Sequence, residues 1–357
     1  MVVDAKRPRL TPRISCQVLE DWLSHALRRA GMTGDEATAT AHVLAEADLR
    51  GVHSHGAVRL PVYIALVRRG VWVAGAEPKF LADHGVLSLL DGCHGVGPYI
   101  ATRAMDRAVA RARAYGAAWV WVRNAGHFGA AAAYTLQAAR QGFIGFAFTN
   151  SSPAMAAWGG KEMTLGTNPW SVAVPAPRGA WPVVLDLANT VVARGKIRAA
   201  RDRGEEIPEG WALDAEGRPT TDPGAALEGT LLPIGGYKGY GIAFMVEALT
   251  GVLAGAGIAR EVESPYDGKV HQRLGQAFAA IDVSRLQTPT AFRSRMAELA
   301  RYMRGHKRVA GVTRILLPGE REAALAKKQA RTGILLPEEV RKAIDTAARE
   351  LGMAAPV

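Results

Sequence analysis

One stretch constrains this chain more than any other: HFGAAAAYTLQAARQGFIGFAFTNSSPAMAAWGGKEMTLGTNPW, residues 127–170. His127 opens it where a loop meets a helix. A Gly-Gly-Lys turn and a Gly-Thr-Asn-Pro turn at 166–169 follow an apolar strand. Glycine, serine and asparagine at this density suit a backbone that closes around a ligand, and core packing alone would not ask for them.

β and α patterns alternate around this run. Strands are expected at 86–92, 117–124 and 143–150, with helices at 98–115 and 130–141 between them. WSVAVPA and PVVLDLA read as two further strands, 205–229 as an irregular excursion, 241–254 as a buried helix and 278–286 as a late strand. Upstream, a helix starting at Ser15 carries Val18, Leu19, Trp22, Leu23, Ala26 and Leu27 on one face and stops at Gly31. Thr33 and Glu36 form a capping box for a second helix to Arg50, and the chain reads as helical again from Leu60. From Thr290 it returns to amphipathic, arginine-rich helices. The expected class is α/β (α+β), with a helical part over 1–76, a mixed α/β part over 77–289 and a helical part over 290–357.

At 357 residues the chain can build two or three layers around a sizeable core. No apolar run reaches the length of a membrane span, and the basic N-terminus lacks the apolar core of a signal peptide. Cys16 and Cys93 stand far apart without metal-type spacing, which fits a reducing cytoplasm and argues against bound metal. The net charge of +11 invites a nucleic-acid reading. The arginines, however, are interleaved with alanine along helices at 101–115 and 291–307, with no recognition motif. That charge suits anionic small molecules better.

Two glycine pairs resemble a dinucleotide fingerprint. Gly95-Val96-Gly97 lies between a strand and a helix, but Ile100 stands where glycine or alanine belongs, and Gly255-Ala256-Gly257 fails at Arg260. Both read as plain turns, so a dinucleotide would be held without a Rossmann fold. Ser54, His55 and Arg59 form a denser cluster, able to hold and protonate a small carboxylate-bearing molecule; the bland alternative is a helix cap beside surface histidines. His127-Phe128-Gly129 lies at a strand-to-helix junction, where a helix N-terminus favours negative charge, though a structural hydrogen bond would also explain it. The glycines around Lys238 at 235–241 suit either an anion or a hinge.

Taken in order, these runs resemble one family: Ser54-His55-Gly56 with Arg59-Leu60-Pro61, His127-Phe128-Gly129, Asn150-Ser151-Ser152-Pro153, Gly159-Gly160-Lys161, Gly166-Thr167-Asn168-Pro169, Asp186-Leu187-Ala188, Arg194-Gly195-Lys196-Ile197, 235–241 and Pro318-Gly319-Glu320. The resemblance is to the malate/L-lactate dehydrogenases of the second, non-Rossmann type, and it covers nearly the whole chain. That family includes sulfolactate and ureidoglycolate dehydrogenases and cyclic-imine carboxylate reductases. The resemblance implies a homodimer using NAD or NADP, with a mixed-sheet cofactor domain and a helical lobe built from both chain ends. It implies His55 as acid/base with Ser54 beside it, and His127 as the other candidate. Arg59 would clamp the carboxylate, with Phe128, Gly129 and Lys196 also on the substrate. Ser151, Asp186, Leu187, Ala188, Lys238, Pro318, Gly319 and Glu320 fall where the family contacts the dinucleotide. Imine-reducing members carry an aspartate near the position of Lys196, which makes NADPH-dependent reduction of a cyclic imine the alternative enzyme reading. A basic binding protein is the non-enzyme alternative.

Overall fold

Alternation along residues 117–125 explains the centre of the molecule. In a computed structural model, which describes residues 13–177 and 180–356, the strand Ala117–Ala125 buries Ala118, Val120 and Val122 against the helix Gly97–Tyr115. Its other face carries Trp119 and Trp121, stacked 5.5 Å apart and continued across the sheet by Phe146, Phe148 and Trp170. The basic N-terminal stretch up to residue 12 lies outside the described residues.

Seven strands form one mixed sheet, in the spatial order Lys79–Asp83, Leu87–Asp91, Ala117–Ala125, Leu274–Asp282, Phe143–Thr149, Trp170–Val174 and Val183–Leu187. Only Leu87–Asp91 and Ala117–Ala125 pair in parallel; the other neighbours are antiparallel. The late strand starts and ends earlier than its sequence pattern suggests. Gly275 weakens the apparent strand propensity, yet all but Ile281 are buried, as a central strand covered on both faces requires.

The N-terminal helices form as their caps dictate. Ser15 accepts the Val18 N–H, and Thr33 with Glu36 completes the capping box of Gly34–Leu49. Val18 drops off the expected buried face and is 49% exposed. Leu19, Leu23 and Leu27 share one core cluster with Leu60, Tyr63, Ile64 and Trp72, and with Val340, Ile344 and Leu351 from the far end of the chain. By contrast, the helix Pro289–Arg304 buries no residue.

Two expectations need correction. The segment 241–254 is not one buried helix. A helix Tyr237–Glu247 passes into a widened π-type turn, Ala248–Val252, and Phe244, Met245, Val252 and Leu253 are exposed. The excursion 205–229 contains the short helix Pro223–Glu228 and the strand Ala212–Leu213. The latter belongs to a four-stranded sheet with Thr230–Leu231, Met155–Ala156 and Met163–Leu165. Strands of two or three residues leave no periodicity to read.

Candidate active site

The turn bearing His55 is shaped by Asp48, a fully buried carboxylate near the end of Gly34–Leu49. Its Oδ2 accepts the Ala57 N–H at 2.7 Å, and its Oδ1 pairs with His53 Nδ1 at 2.7 Å. A side chain on Gly56 would strike that carboxylate. The backbone therefore winds into two successive 3-10 turns, His53–His55 and Ala57–Arg59. Ser54 Oγ lies 2.9 Å from His55 Nδ1, and Arg59 Nε donates to the Ser54 carbonyl at 2.7 Å. Ser54 does not cap the next helix, which has no side-chain cap.

His127 follows the strand Ala117–Ala125. A Cβ on Gly97 would come within 2.2 Å of the His127 carbonyl oxygen. The glycines that resemble a phosphate fingerprint thus let a helix close onto the histidine loop. Gly129, at φ 80°, turns its N–H back onto His127 Nδ1 at 3.3 Å. Tyr63 Oη lies 2.8 Å from the same nitrogen. Because the amide can only donate, Nδ1 is the acceptor, the tyrosine hydroxyl donates as well, and the neutral ring carries its proton on Nε2. Gln272 Oε1 accepts the His127 backbone N–H at 3.1 Å and Trp72 Nε1–H at 2.9 Å, while Trp72 packs on Tyr63. Both backbone and imidazole of His127 are held from two sides.

These folding events bring His55 and His127 together, with ring centroids 5.9 Å apart and planes 15° from parallel. Burial, reinforced by the Arg59 guanidinium, pushes His55 down to about 3 and His127 well below its usual value. Both rings are neutral at pH 7. Next to them, Arg59 also bonds through Nη1 to the Tyr266 hydroxyl.

The Phe128 ring is 2% exposed and packs edge-on against Tyr134 and beside Phe278, so its side chain lies in the core and any substrate contact there falls to its backbone. Lys196 lies exposed on the helix Arg194–Arg203, and its side chain makes no hydrogen bond among the described residues.

The residues expected around a dinucleotide fall along the sheet edge. Asp186 Oδ2 accepts the N–H of Ala132, at the start of the helix Ala132–Arg140, which ties that edge to the His127 loop. Groups around Asp186 push its carboxyl up, while the residue itself stays open to solvent at the sheet edge. The Pro318 carbonyl accepts the Val184 N–H at 3.3 Å, placing Pro318-Gly319-Glu320 against the strand that carries Asp186. The 188–191 segment is bridged to 232–234, just ahead of Gly235, Gly236 and Lys238. Ser151 N donates to Asn168 Oδ1 at 3.1 Å, and Asn189 Nδ2 donates to the Asn168 carbonyl at 2.6 Å. A nicotinamide dinucleotide fits this edge. Thr190 Oγ1 is buried there without a partner, and Lys238 stands exposed in the first turn of Tyr237–Glu247, where free N–H groups favour a phosphate.

Several residues that build the site carry no mark in the sequence. Tyr63 and Gln272 act through partners distant in sequence and leave no local sign, while Asp48 acts on the turn five to nine residues after it. Glu247 leaves one, as a lone carboxylate within GIAFMVEALTG. It gathers Asn150 Nδ2 and Ala259 N–H on Oε1 and Asn168 Nδ2 on Oε2, locking the turns on either side of Ser151.

Residues 14–345 match the malate/L-lactate dehydrogenase family profile. Over 254 residues the chain is 42% identical to a (2R)-3-sulfolactate dehydrogenase (NADP+) of Chromohalobacter salexigens, covering 71% of this chain and 76% of that one. It is 35% identical to a ureidoglycolate dehydrogenase (NAD+) of Escherichia coli K12, over 92% of this chain and 93% of that one. The fold superposes on the crystal structure of a malate dehydrogenase from Entamoeba histolytica with a TM-score of 0.92 at 29% identity, covering 98% and 100% of the two chains. The chain belongs to the malate/L-lactate dehydrogenase family and is an NAD(P)-dependent dehydrogenase acting on CH–OH groups.

Proposed function

We propose that the protein interconverts a small 2-hydroxy acid of malate or lactate type and its 2-oxo acid, with His55 as the proton-transferring group. The observation that carries this reading is the pairing of two neutral histidines beside Arg59. Oxidation needs a base for the hydroxyl proton. Ser54 Oγ lies within hydrogen-bond reach of His55 Nδ1, and in the Nδ1–H tautomer His55 keeps a free Nε2 lone pair for that task. His127, with Nδ1 blocked and its proton on Nε2, donates to the substrate oxygen and stabilises negative charge developing there. Arg59 offers a planar fork to the carboxylate. In the reverse direction His55 returns its proton to the same oxygen.

A bound nicotinamide supplies the two-electron acceptor. Ser151, Asp186, Leu187, Ala188, Lys238 and 318–320 would hold the dinucleotide, and relatives named for NAD+ and for NADP+ leave both open to this chain. The run Arg194-Gly195-Lys196 offers no carboxylate, which lowers the alternative of cyclic-imine reduction without removing it. The core shared by both chain ends supports a helical lobe built from 1–76 and 290–357 around a cofactor domain at 77–289. Exposed Phe244, Met245, Val252 and Leu253, with the uncovered helix Pro289–Arg304, favour a homodimer. Free Cys16 and Cys93 accord with the cytoplasm.

Fluorescence titration with NADH and NADPH, followed by steady-state rates on 2-hydroxy and 2-oxo acids, tests this reading. His55→Ala is expected to lower kcat by about 10²–10⁴-fold, and His127→Ala to act more on KM. The opposite pattern would exchange their roles.

A further inference from the structure

We propose that His271 holds the His127 loop in place through Gln272, and that the imidazole of His94 stacked on it makes this hold release in acid. The proposal rests on the reading above that His127 acts on the substrate oxygen. The two stacked rings are distinct from the catalytic pair, with centroids 3.9 Å apart and planes 9° from parallel. They come from distant parts of the chain. His94 stands in the turn between Leu87–Asp91 and Gly97–Tyr115, and His271 just ahead of the late strand Leu274–Asp282.

Both rings are tied to the frame under His127. His271 Nδ1 lies 2.9 Å from the Val71 carbonyl; a carbonyl only accepts, so Nδ1 carries a proton and donates it. The next residue, Gln272, is the one whose Oε1 receives the His127 N–H and Trp72 Nε1–H. His94 is fixed by its backbone, its N–H donating to the Asn124 carbonyl at 3.0 Å and its carbonyl accepting the Val73 N–H at 2.9 Å. It holds a left-handed φ of 57°, beside Cys93 at 50°, a strained run that only its surroundings enforce. Residues 71–73 thus grip His94 on one side and His271 with Gln272 on the other. The segment 262–273 holds neither helix nor strand, and it is the side that can give way.

Such a stack suits two neutral rings and not two charged ones. His94 Nδ1 is buried with no partner among the described residues, so an imidazolium there would carry an unmatched N–H. Charging both rings would also set like charges 3.9 Å apart. Burial, with His271 and Arg273 facing it, lowers His94 from its ordinary value against the pull of Asp91. The Asp91 carboxylate is already committed to Arg123, Asn124 and the Cys93 N–H. Glu261 and Glu263 line the same cavity as the two rings and favour charge on them, while Arg273, 3.9 Å from Glu261, offsets part of this. Once both rings are charged, His271 relieves the repulsion by moving off His94, and Gln272 moves with it. His127 then loses its backbone acceptor while its own ring, held well below the usual value by burial, is still neutral. Turnover therefore fails in acid before either catalytic histidine is charged.

The test follows kcat/KM of the full-length protein against pH, with amide hydrogen exchange by mass spectrometry as a readout that needs no substrate. The unmodified enzyme should lose kcat/KM in acid along a limb between 6.5 and about 3, the values of an ordinary histidine and of His55. His94→Asn, whose side chain tolerates the left-handed backbone, should leave kcat/KM at neutral pH within about twofold and move the limb down by about one pH unit. His271→Ala should raise KM about tenfold at neutral pH, and His271→Asn, which keeps a donor where Nδ1 stood, should recover most of that loss. Exchange at 71–73 and 126–129, corrected for its intrinsic pH dependence, should rise across the same limb in the unmodified protein and stay flat in His94→Asn. A limb or an exchange profile unmoved by His94→Asn, or an unchanged KM in His271→Ala, overturns the proposal. Exchange that rises as expected in a protein unable to turn over any 2-hydroxy or 2-oxo acid upholds the acid release and overturns the reading of His127 beneath it.

Discussion

Replacing Tyr63 by phenylalanine removes one oxygen from the most constrained contact in the site. The Tyr63 ring is fully buried and stays packed on Trp72 at 4.6 Å, so the substitution opens no cavity of consequence. What is lost is the 2.8 Å hydrogen bond to His127 Nδ1, leaving only the longer 3.3 Å contact from Gly129 N–H. A neutral buried hydrogen bond contributes about 1 kcal/mol net, and an acceptor left short of a donor costs about 1–2 kcal/mol. Tm should fall by about 2–4 °C. The catalytic effect follows from the tautomer. Without the hydroxyl, about 1.4 kcal/mol of preference for Nε2–H is removed, which corresponds to about a tenfold fall in kcat/KM. The assay pairs steady-state oxidation of a 2-hydroxy acid with ¹⁵N shifts of the His127 ring, which distinguish the two tautomers. A kcat/KM within twofold of the unmodified enzyme, or an Nδ1–H tautomer already present before mutation, would refute the reasoning.

Lowered histidine values move the acid limb of kcat/KM for oxidation below pH 6.5, because the base stays neutral further into acid; a limb at 6.5 in the free enzyme contradicts the burial argument. The same shift predicts that stability is complete above pH 6.5 and declines as pH falls toward 3, since the unfolded chain then binds protons that the folded chain refuses. Equilibrium unfolding of His55→Asn should show a shallower decline over that window. Glu247→Gln replaces an acceptor oxygen with an amide that faces the donors Asn150, Asn168 and Ala259, and should cost about 2–4 kcal/mol in urea unfolding; a loss below about 0.5 kcal/mol would discount the network. Arg59→Lys keeps the charge but loses the fork, so KM for the hydroxy acid should rise by the equivalent of about 2–3 kcal/mol, and an unchanged KM would remove Arg59 from the site.

Elements governed by neighbours along the chain are legible in its residue pattern. The capping box at Thr33 and Glu36, the alternating strand Ala117–Ala125 and the helix Gly97–Tyr115 all fall within a residue or two of their patterns. The site is legible where family runs mark it, at His55, Arg59 and His127, but the reasons those groups work are not. Tyr63 reads as one more apolar position of a helix, and its bond to His127 spans 64 residues. Gln272 reaches the same loop across 145 residues. Adjacency to His127 says nothing about the direction of the Phe128 ring, which the turn sends into the core.

The placement of the late strand has a consequence for how the molecule comes into being. Leu274–Asp282 is inserted between Ala117–Ala125 and Phe143–Thr149, which are made long before it and never pair with each other. A nascent chain therefore holds two partial sheets with facing open edges, one leading to the His127 loop and the other carrying Asp186 and the turn after Asn150. Such edges recruit strands from other chains, and pairings this distant in sequence form slowly. Only when residues 274–282 emerge are the His127 loop and the edge carrying Asp186 fastened into one frame. The site is thus absent for most of synthesis, and this interval is when the chain has most need of protection from its own copies.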